Sequence, residues 1–313
     1  MPMYSEVLAN PKAERFRRVR ELLTRKGRQK NRRFVVEGPQ AVREVLDYRP
    51  DIVQDVYVAV DGAEDDAMFV NPTVARLAGK ALQAANMLAS DSGADHAADH
   101  DAGAGATIYV HKATRAVVDS VSEDAQGIFA VASLDDYEAP LDDIDIADLL
   151  VGNDDGNGPL IAAFWQVRDP GNAGTVIRSA DAAGCDAVLL VDDCVEPVNP
   201  KVVRATTGSL FHLPVFHVSE RRFFDIAAGA RIVAADVHGT DDLVPVSLPD
   251  YVRDADPKQP RIVLFGNEAR GLKPETLERC TDIVSIPIYG HAESLNLAMS
   301  ASIMLMTIAM HEH

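Results

Sequence analysis

Cysteine is scarce in this sequence: there are three in 313 residues, at positions 185, 194 and 280. Their odd number and lack of metal-ligand spacing argue against a disulfide framework and a structural zinc site, and point to a reducing compartment. No amino-terminal apolar core of a leader is present, so no export signal is expected and the expected location is cytoplasmic. Long apolar runs are missing too. The most apolar stretch, towards the carboxyl end, is interrupted by Asn296, Ser300, Ser302 and Thr307 below the ~18 residues that span a bilayer, so no membrane segment is expected. Positive charge is short: 30 Lys and Arg face 48 Asp and Glu, and a net charge of −18 argues against nonspecific coating of nucleic acid. Several ligand motifs are absent. The glycines at 266 and 271 are followed by Leu272 and Lys273 rather than by Gly-Lys-Ser/Thr, and no strand candidate runs into Gly-x-Gly-x-x-Gly. No Ser-His-Asp order, nucleophile elbow or metal motif occurs. His96 and His100 fall in a compositionally biased tract, so no metal is expected there.

What is present is globular: 47% apolar and 25% charged residues, over a length that fits two domains at ~150 residues each. Residues 11–33 hold Lys12, Arg15, Arg17, Arg18, Arg20, Arg25, Lys26, Arg28, Lys30, Arg32 and Arg33 against Glu14 and Glu21, a basic arm on an acidic protein. Asn10-Pro11 reads as an N-cap with proline at N1, opening a helix to about residue 24. Strand then alternates with helix: strands near 33–37, 53–60, 108–111 and 127–132, helices near 41–46, 68–88 and 115–121. That pattern predicts a small α/β sandwich over residues 1–134. Residues 89–106 are rich in Ala, Asp, Gly, Ser and His with almost no large apolar group, and are expected to be a disordered surface insertion. Residues 135–159, dense in aspartate and glycine, read as an extended acidic linker with at most a helical turn.

A second strand–helix alternation, over residues 160–313, predicts a mostly parallel sheet. Ligands of such sheets bind beyond the carboxyl ends of the strands. A Gly/Asn-rich loop follows the apolar strand at 160–165, and a helix over 175–183 stops at Gly184. A second glycine-bearing loop follows the strand at 261–265, and a polar loop after the strand at 283–288 leads into Ser294-Leu295-Asn296-Leu297 and an apolar helix. With apolar groups all round its axis, this helix must be buried on every side, in part against a second subunit. Asn172, Arg178, Glu268, Ser294 and Asn296 are the polar residues left at these strand ends. By themselves they do not name a reaction.

Three blocks carry a resemblance. Asn172-x-Gly174-x-x-x-Arg178-x-Ala180, then Phe265-Gly266-Asn267-Glu268-x-x-Gly271, then Ile286-Pro287-Ile288 leading to Ser294-Leu295-Asn296, resemble in order and spacing the signature motifs of SpoU (TrmH) RNA 2′-O-ribose methyltransferases. The segments at 33–46 and 126–131 are similar, less specifically, to the ribosomal-protein-like RNA-binding domain that many members carry. The resemblance implies a SPOUT domain with a deep trefoil knot, working as a homodimer through the last helix. It implies S-adenosylmethionine held by backbone at Leu264, Gly266, Ile286 and Leu295, with Asn267 and Pro287 nearby. Arg178 would stabilise a ribose alkoxide or anchor its phosphate, since a guanidinium stays protonated. Asn172, Glu268, Ser294 and Asn296 would orient it, although Ser294 as a helix cap and Glu268 as an acceptor for backbone amides are plain structural alternatives. Under this resemblance Arg17, Arg18, Arg25, Lys26, Arg28, Lys30 and Arg32 would track phosphates of an RNA, ribosomal rather than transfer RNA. A noncatalytic RNA-binding or ribosome-assembly factor that kept the fold is the alternative.

Overall fold

The computed structural model describes residues 3–91, 107–143, 148–150 and 157–312. Nearly all of the expected insertion, residues 92–106, and residues 144–147 and 151–156 of the expected linker lie outside the described residues. The chain forms two compact units, Met1–Pro140 with Val198–Phe211, and Leu141–Pro197 with His212–His313.

The first unit contains β1 (Met3–Leu8), α1 (Glu14–Glu21), α2 (Arg25–Asn31), β2 (Arg33–Glu37), α3 (Pro39–Tyr48), β3 (Val53–Asp61), β4 (Met68–Phe69), α4 (Pro72–Asp91), β5 (Tyr109–Thr114), α5 (Arg115–Val121) and β6 (Ile128–Ser133). Its sheet runs β1-β5-β3-β6-β2, with β4 beside β3. The β1, β5 and β3 strands are parallel, whereas β6 runs antiparallel to both β3 and β2. Phe16 and Val19 of α1 and Leu22 just after it join Val117, Val118 and Val121 of α5 over Tyr57, Ala59, Phe129 and Val131, forming one buried cluster. The α/β expectation holds, with two differences. The short edge strand β1 has too few residues to show a period. The expected helix over 10–24 shortens to α1, because Asn10 Oδ1 accepts from Lys12 N at 2.9 Å and sets a turn first. A second short helix, α2, starts at its own cap, Thr24, whose side chain accepts from Gly27 N.

Residues expected to begin an extended linker are instead helical: α6 (Leu134–Asp143) directly follows β6. Tyr137 packs edge-on against Phe34 with ring centroids 5.7 Å apart, and Arg32 forms ion pairs with Asp135 and Glu138. Local burial and opposite charge thus override the like-charge repulsion that argued for an extended segment.

The second unit holds β7 (Leu160–Trp165), α7 (Pro170–Ala182) and β8 (Ala187–Val191); α8 (Pro200–Thr206) follows in sequence. Then come β9 (Val215–Val218), α9 (Glu220–Ala227), β10 (Arg231–Ala235), β11 (Val246–Ser247), α10 (Leu248–Asp254), β12 (Arg261–Phe265), α11 (Pro274–Leu277), β13 (Asp282–Ser285) and α12 (Leu297–Glu312). The seven strands run β11-β13-β10-β12-β7-β8-β9, every pairing parallel. All of β7, β8 and β12 is buried, as a sheet covered on both faces requires, which is why these strands read as unbroken apolar runs.

Residues 198–211, expected within the carboxy-terminal domain, pack with the first unit. Gly208 explains how they come so close. Its φ is +112°, and a Cβ there would lie 2.2 Å from Glu44 Cγ of α3. Arg204 of α8 also donates to Glu37 Oε1 at 3.1 Å.

The three cysteines are free, as expected. Burial pushes the thiols of Cys194 and Cys280 up to about 12 and that of Cys185 further still, so all three stay protonated and unreactive at neutral pH. The native protein should therefore not react with a disulfide reagent at pH 8 and should release three equivalents in concentrated guanidinium chloride. A native thiol reacting in the first minute would contradict this packing.

Candidate active site at the carboxyl ends of the parallel strands

In the second unit a cavity of about 1220 Å³ opens beyond the carboxyl ends of β7, β10, β12 and β13. Here the strand order changes direction in the chain, the place where parallel sheets leave room for a ligand. Residues from all three sequence blocks line it, together with a loop after β10.

The α7 helix begins earlier than expected. Asp169 accepts from Asn172 N at 2.8 Å and Pro170 supplies the preset φ of a first helical residue. Asn172 therefore sits in the first helical turn, not in a free loop. Its carboxamide works in both directions: Nδ2 donates to Glu268 Oε1 at 3.1 Å, and Oδ1 accepts from Asn296 Nδ2 at 3.2 Å. Asn267 donates to the carbonyl of Gln166 at 2.8 Å and accepts from Ala269 N at 2.9 Å. Its own backbone exchanges two hydrogen bonds with Gly271, at 3.2 and 2.9 Å, closing the loop into a tight ring. Only a residue without a side chain fits at Gly266: a Cβ would lie 2.4 Å from Gly271 C and 2.6 Å from Leu272 N, both backbone atoms.

Asn296 caps α12, with Oδ1 accepting from Ala298 N at 2.8 Å and Met299 N at 3.4 Å. The cap is thus not Ser294, which lies exposed in the preceding loop, and the helix opens at Leu297 rather than at Ser294. Glu268 accepts from the side chains of Asn172 and Asn267, so among the described residues the contacts shown for it involve no backbone amide.

Of the residues singled out from sequence, Asn172, Glu268, Ser294 and Asn296 line the cavity, as do Gly266, Asn267, Ile286 and Leu295. Leu264 is buried inside β12, and Leu264 and Pro287 both lie outside the lining. Arg178 also stands outside it. Six residues after Asn172 on a helix of 3.6 residues per turn, it points roughly 120° away, exposed, with no hydrogen bond or ion pair to the described residues.

Sequence reading missed two parts of the site. One is the loop after β10, where Asp236 accepts from both His238 N and His238 Nδ1 at 2.8 and 2.9 Å. A polar run directly after an apolar strand was the available signal. The other is Gln166, a non-glycine residue at φ +52° whose turned carbonyl receives Asn267.

The lining carries six carboxylates, those of Asp236, Asp241, Asp242, Glu268, Glu278 and Glu293, against the single guanidinium of Arg270. Ile286, Ile288, Leu295 and Phe265 supply apolar surface among them. Such a cavity favours a cation with an apolar body over a polyphosphate.

Residues 159–306 match the family model described as the SpoU rRNA Methylase family. The matched residues make up just under half of the chain and most of the second unit. A 23S rRNA (uridine(2479)-2′-O)-methyltransferase of Streptomyces viridochromogenes is 38% identical over 176 residues, 54% of this chain and 56% of that protein. The 23S rRNA (guanosine(2553)-2′-O)-methyltransferase RlmP of Bacillus subtilis is 36% identical over 139 residues, 44% of this chain and 53% of that one. The chain thus spans about half the length of the curated relatives it matches. Among solved structures, an AdoMet-bound rRNA methyltransferase from Sinorhizobium meliloti superposes with a TM-score of 0.72 at 25% identity, covering 99% of each chain.

The glycine-bearing loop after β12 closes only without a side chain at position 266. Gly266→Ala should therefore destabilise the chain by on the order of 2–3 kcal/mol, lowering the urea midpoint. An unchanged midpoint would mean that the ring formed with Gly271 is not required.

Proposed function

We propose that this protein transfers a methyl group from S-adenosylmethionine to a ribose 2′-hydroxyl of structured ribosomal RNA, in the cytoplasm. The observation that carries the reading is the cavity in which one carboxamide, Asn172, ties the three motif segments together beside an excess of carboxylates. S-Adenosylmethionine, when bound, supplies a methyl group already activated on a sulfonium cation. The residues present fit that group: carboxylates offset its charge, Gly266, Asn267, Ile286 and Leu295 line its position, and apolar neighbours keep water out. The name of the Sinorhizobium protein, bound to AdoMet, and those of the 23S rRNA relatives support this assignment.

A 2′-hydroxyl is a poor nucleophile until its developing negative charge is stabilised. Arg178, permanently protonated, serves as that stabiliser and as a phosphate anchor, while Asn172, Glu268, Ser294 and Asn296 hold the ribose side of the site. In one chain Arg178 lies outside the cavity, so the reading needs a second copy. The α12 helix leaves Met299, Ile303 and Met310 exposed at 55%, 37% and 68%, as a helix expected to complete its burial against a second subunit would in a single chain. It packs on α7, where Ser179 and Ser302 hydroxyls meet at 2.6 Å. A homodimer through these helices covers the apolar face and brings Arg178 into an interface, to serve the cavity of the other protomer.

The carboxy-terminal segment is proposed to thread a deep trefoil knot. Supporting this, β13 lies on the far side of β10 from β12, yet the chain then returns as α12 to pack on α7 and β12.

The first unit is proposed to bind the RNA. Arg17, Arg18, Arg25, Lys26 and Lys30 are exposed and can meet phosphates, although Arg17 and Arg18 also pair at the surface with Glu14. Arg28 cannot: it is buried at 2% exposure and donates to the Leu22 carbonyl at 3.1 Å. Arg32 is already engaged by Asp135 and Glu138. The position of Arg178 outside the cavity is also what favours the alternative, a noncatalytic RNA-binding or assembly factor.

Incubation with labelled methyl donor and bulk ribosomal RNA should give an alkali-resistant linkage; its absence would favour the noncatalytic factor. Arg178→Ala should lower transfer by roughly 100-fold or more while donor affinity stays. Mixing Arg178→Ala with Glu268→Ala protomers should restore transfer, and failure to do so would reject a role for Arg178 across the interface. Replacing Arg25, Lys26 and Lys30 by Ala should reduce the salt slope of RNA binding by about 2 to 3.

A further inference from the structure

The sheet of the first unit carries an aromatic rung that crosses four strands in register. Tyr4 of β1 pairs with His111 of β5, His111 with Tyr57 of β3, and Tyr57 with Phe129 of β6. Successive rings are stacked, with centroids 5.0, 4.8 and 4.7 Å apart and planes within 5°, 21° and 17°. The inner three are core residues, exposed by no more than 3%. The outer one is not. Tyr4 is 51% exposed, and Tyr109, 6.0 Å away at a tilt of 32°, is 43% exposed.

Packing accounts for the inner rings, but not for two large aromatics left open at the end of the stack. One face of Tyr4 is held parallel by His111, and β1 is the last strand of the sheet, so among the described residues no further strand covers its other face. His111 is fixed in turn by Asp55 at 2.7 Å through Nε2 and by the guanidinium of Arg15 at 3.3 Å through Nδ1. Arg15 lies on α1, which also carries Arg17 and Arg18, exposed to solvent. A rigid aromatic face whose ordering cost is already met, beside cations, is what an unstacked nucleobase and its phosphate require.

We infer that Tyr4 and Tyr109 form a stacking platform for unpaired bases of RNA, with Arg15 facing the adjoining phosphate. The inference rests on the RNA-substrate reading and deepens it. It assigns the first unit a preference for single-stranded segments, and it makes the edge strand β1, rather than the cation cluster alone, the part that distinguishes RNA form. A base adds to the outer face of Tyr4 as the next member of the column.

The test uses the full chain and a fluorescently labelled single-stranded oligoadenylate of about 12 nucleotides. The pair Tyr4→Ala and Tyr109→Ala should weaken binding roughly 10- to 100-fold, since each lost stack removes a sequence-tolerant contact. The salt slope should stay unchanged, because no cation is removed. Tyr4→Phe with Tyr109→Phe keeps both rings and should bind as the parent does, which separates stacking from loss of the β1 edge. In the parent chain, a 5-bromouridine oligonucleotide should photocross-link to the peptide holding Tyr4 or to that holding Tyr109. Unchanged affinity of the alanine pair, or cross-links at neither peptide, would overturn the platform. So would loss of self-association with oligonucleotide affinity intact, which would make this edge a protein contact. Methyl transfer is scored separately. Stacking without transfer would leave the platform standing and remove the enzymatic reading, and transfer unaffected by the alanine pair with unchanged binding would do the reverse.

Discussion

A single neutral carboxamide holds the candidate site together. Asn172 donates to Glu268, 96 residues further along the chain, and accepts from Asn296, 124 residues away. An amide suits this place because it offers both a donor and an acceptor without a charge that would need its own counterion. Each partner is committed elsewhere as well: Glu268 also receives Asn267, and Asn296 also caps α12. The start of the last helix, the ring of the second loop and the first turn of α7 are therefore mutually positioned. These groups are open to solvent, so each hydrogen bond contributes modestly, and their joint effect is to fix the geometry of the three segments.

Below this network the sheet supplies rigidity. Phe164 and Phe265 face one another across the β7–β12 pairing with centroids 5.1 Å apart, both essentially unexposed, directly before the two loops that carry Gln166 and Asn267. Burying two phenylalanine side chains stabilises by about 1.5–3 kcal/mol each, so the ends of these strands are among the firmest positions in the unit. At the other end of α12, the buried guanidinium of Arg261 at the start of β12 donates to Glu312. The helix is thereby tied to β12 at its carboxyl end and to the site at its amino end.

Charge is divided between the units in a way the net value of −18 conceals. The cavity of the second unit is dominated by carboxylates, which suits a cationic methyl donor and repels a phosphate chain. The exposed cations of α1 and α2, with the open aromatic rings at the β1 edge, belong to the first unit. Under the proposed function, RNA and the methyl donor would meet separate surfaces with opposite electrostatics.

Much of this was legible in the residues alone. Apolar runs such as Leu160–Trp165 and the four residues after Arg261 marked buried parallel strands, since alternation disappears when both faces are covered. The spacing of Asn172, Gly266, Glu268 and Asn296 marked the strand ends that meet. Sequence also determined the chemical character of the chain: free cysteines, a basic cluster on an acidic body, and no polyphosphate loop. Other features depended on contacts that no local pattern carries. Whether Arg178 reaches its own cavity turned on where α7 begins, which the Asp169 cap decides. Whether Arg28 meets solvent turned on a carbonyl six residues earlier in the chain. The aromatic rung, too, exists only once four strands are in register, because pairing distance in a sheet is unrelated to distance along the chain. Residue types and their spacing therefore determined which groups could act, and tertiary packing alone decided which of them are buried, which are paired and which remain free to meet a ligand.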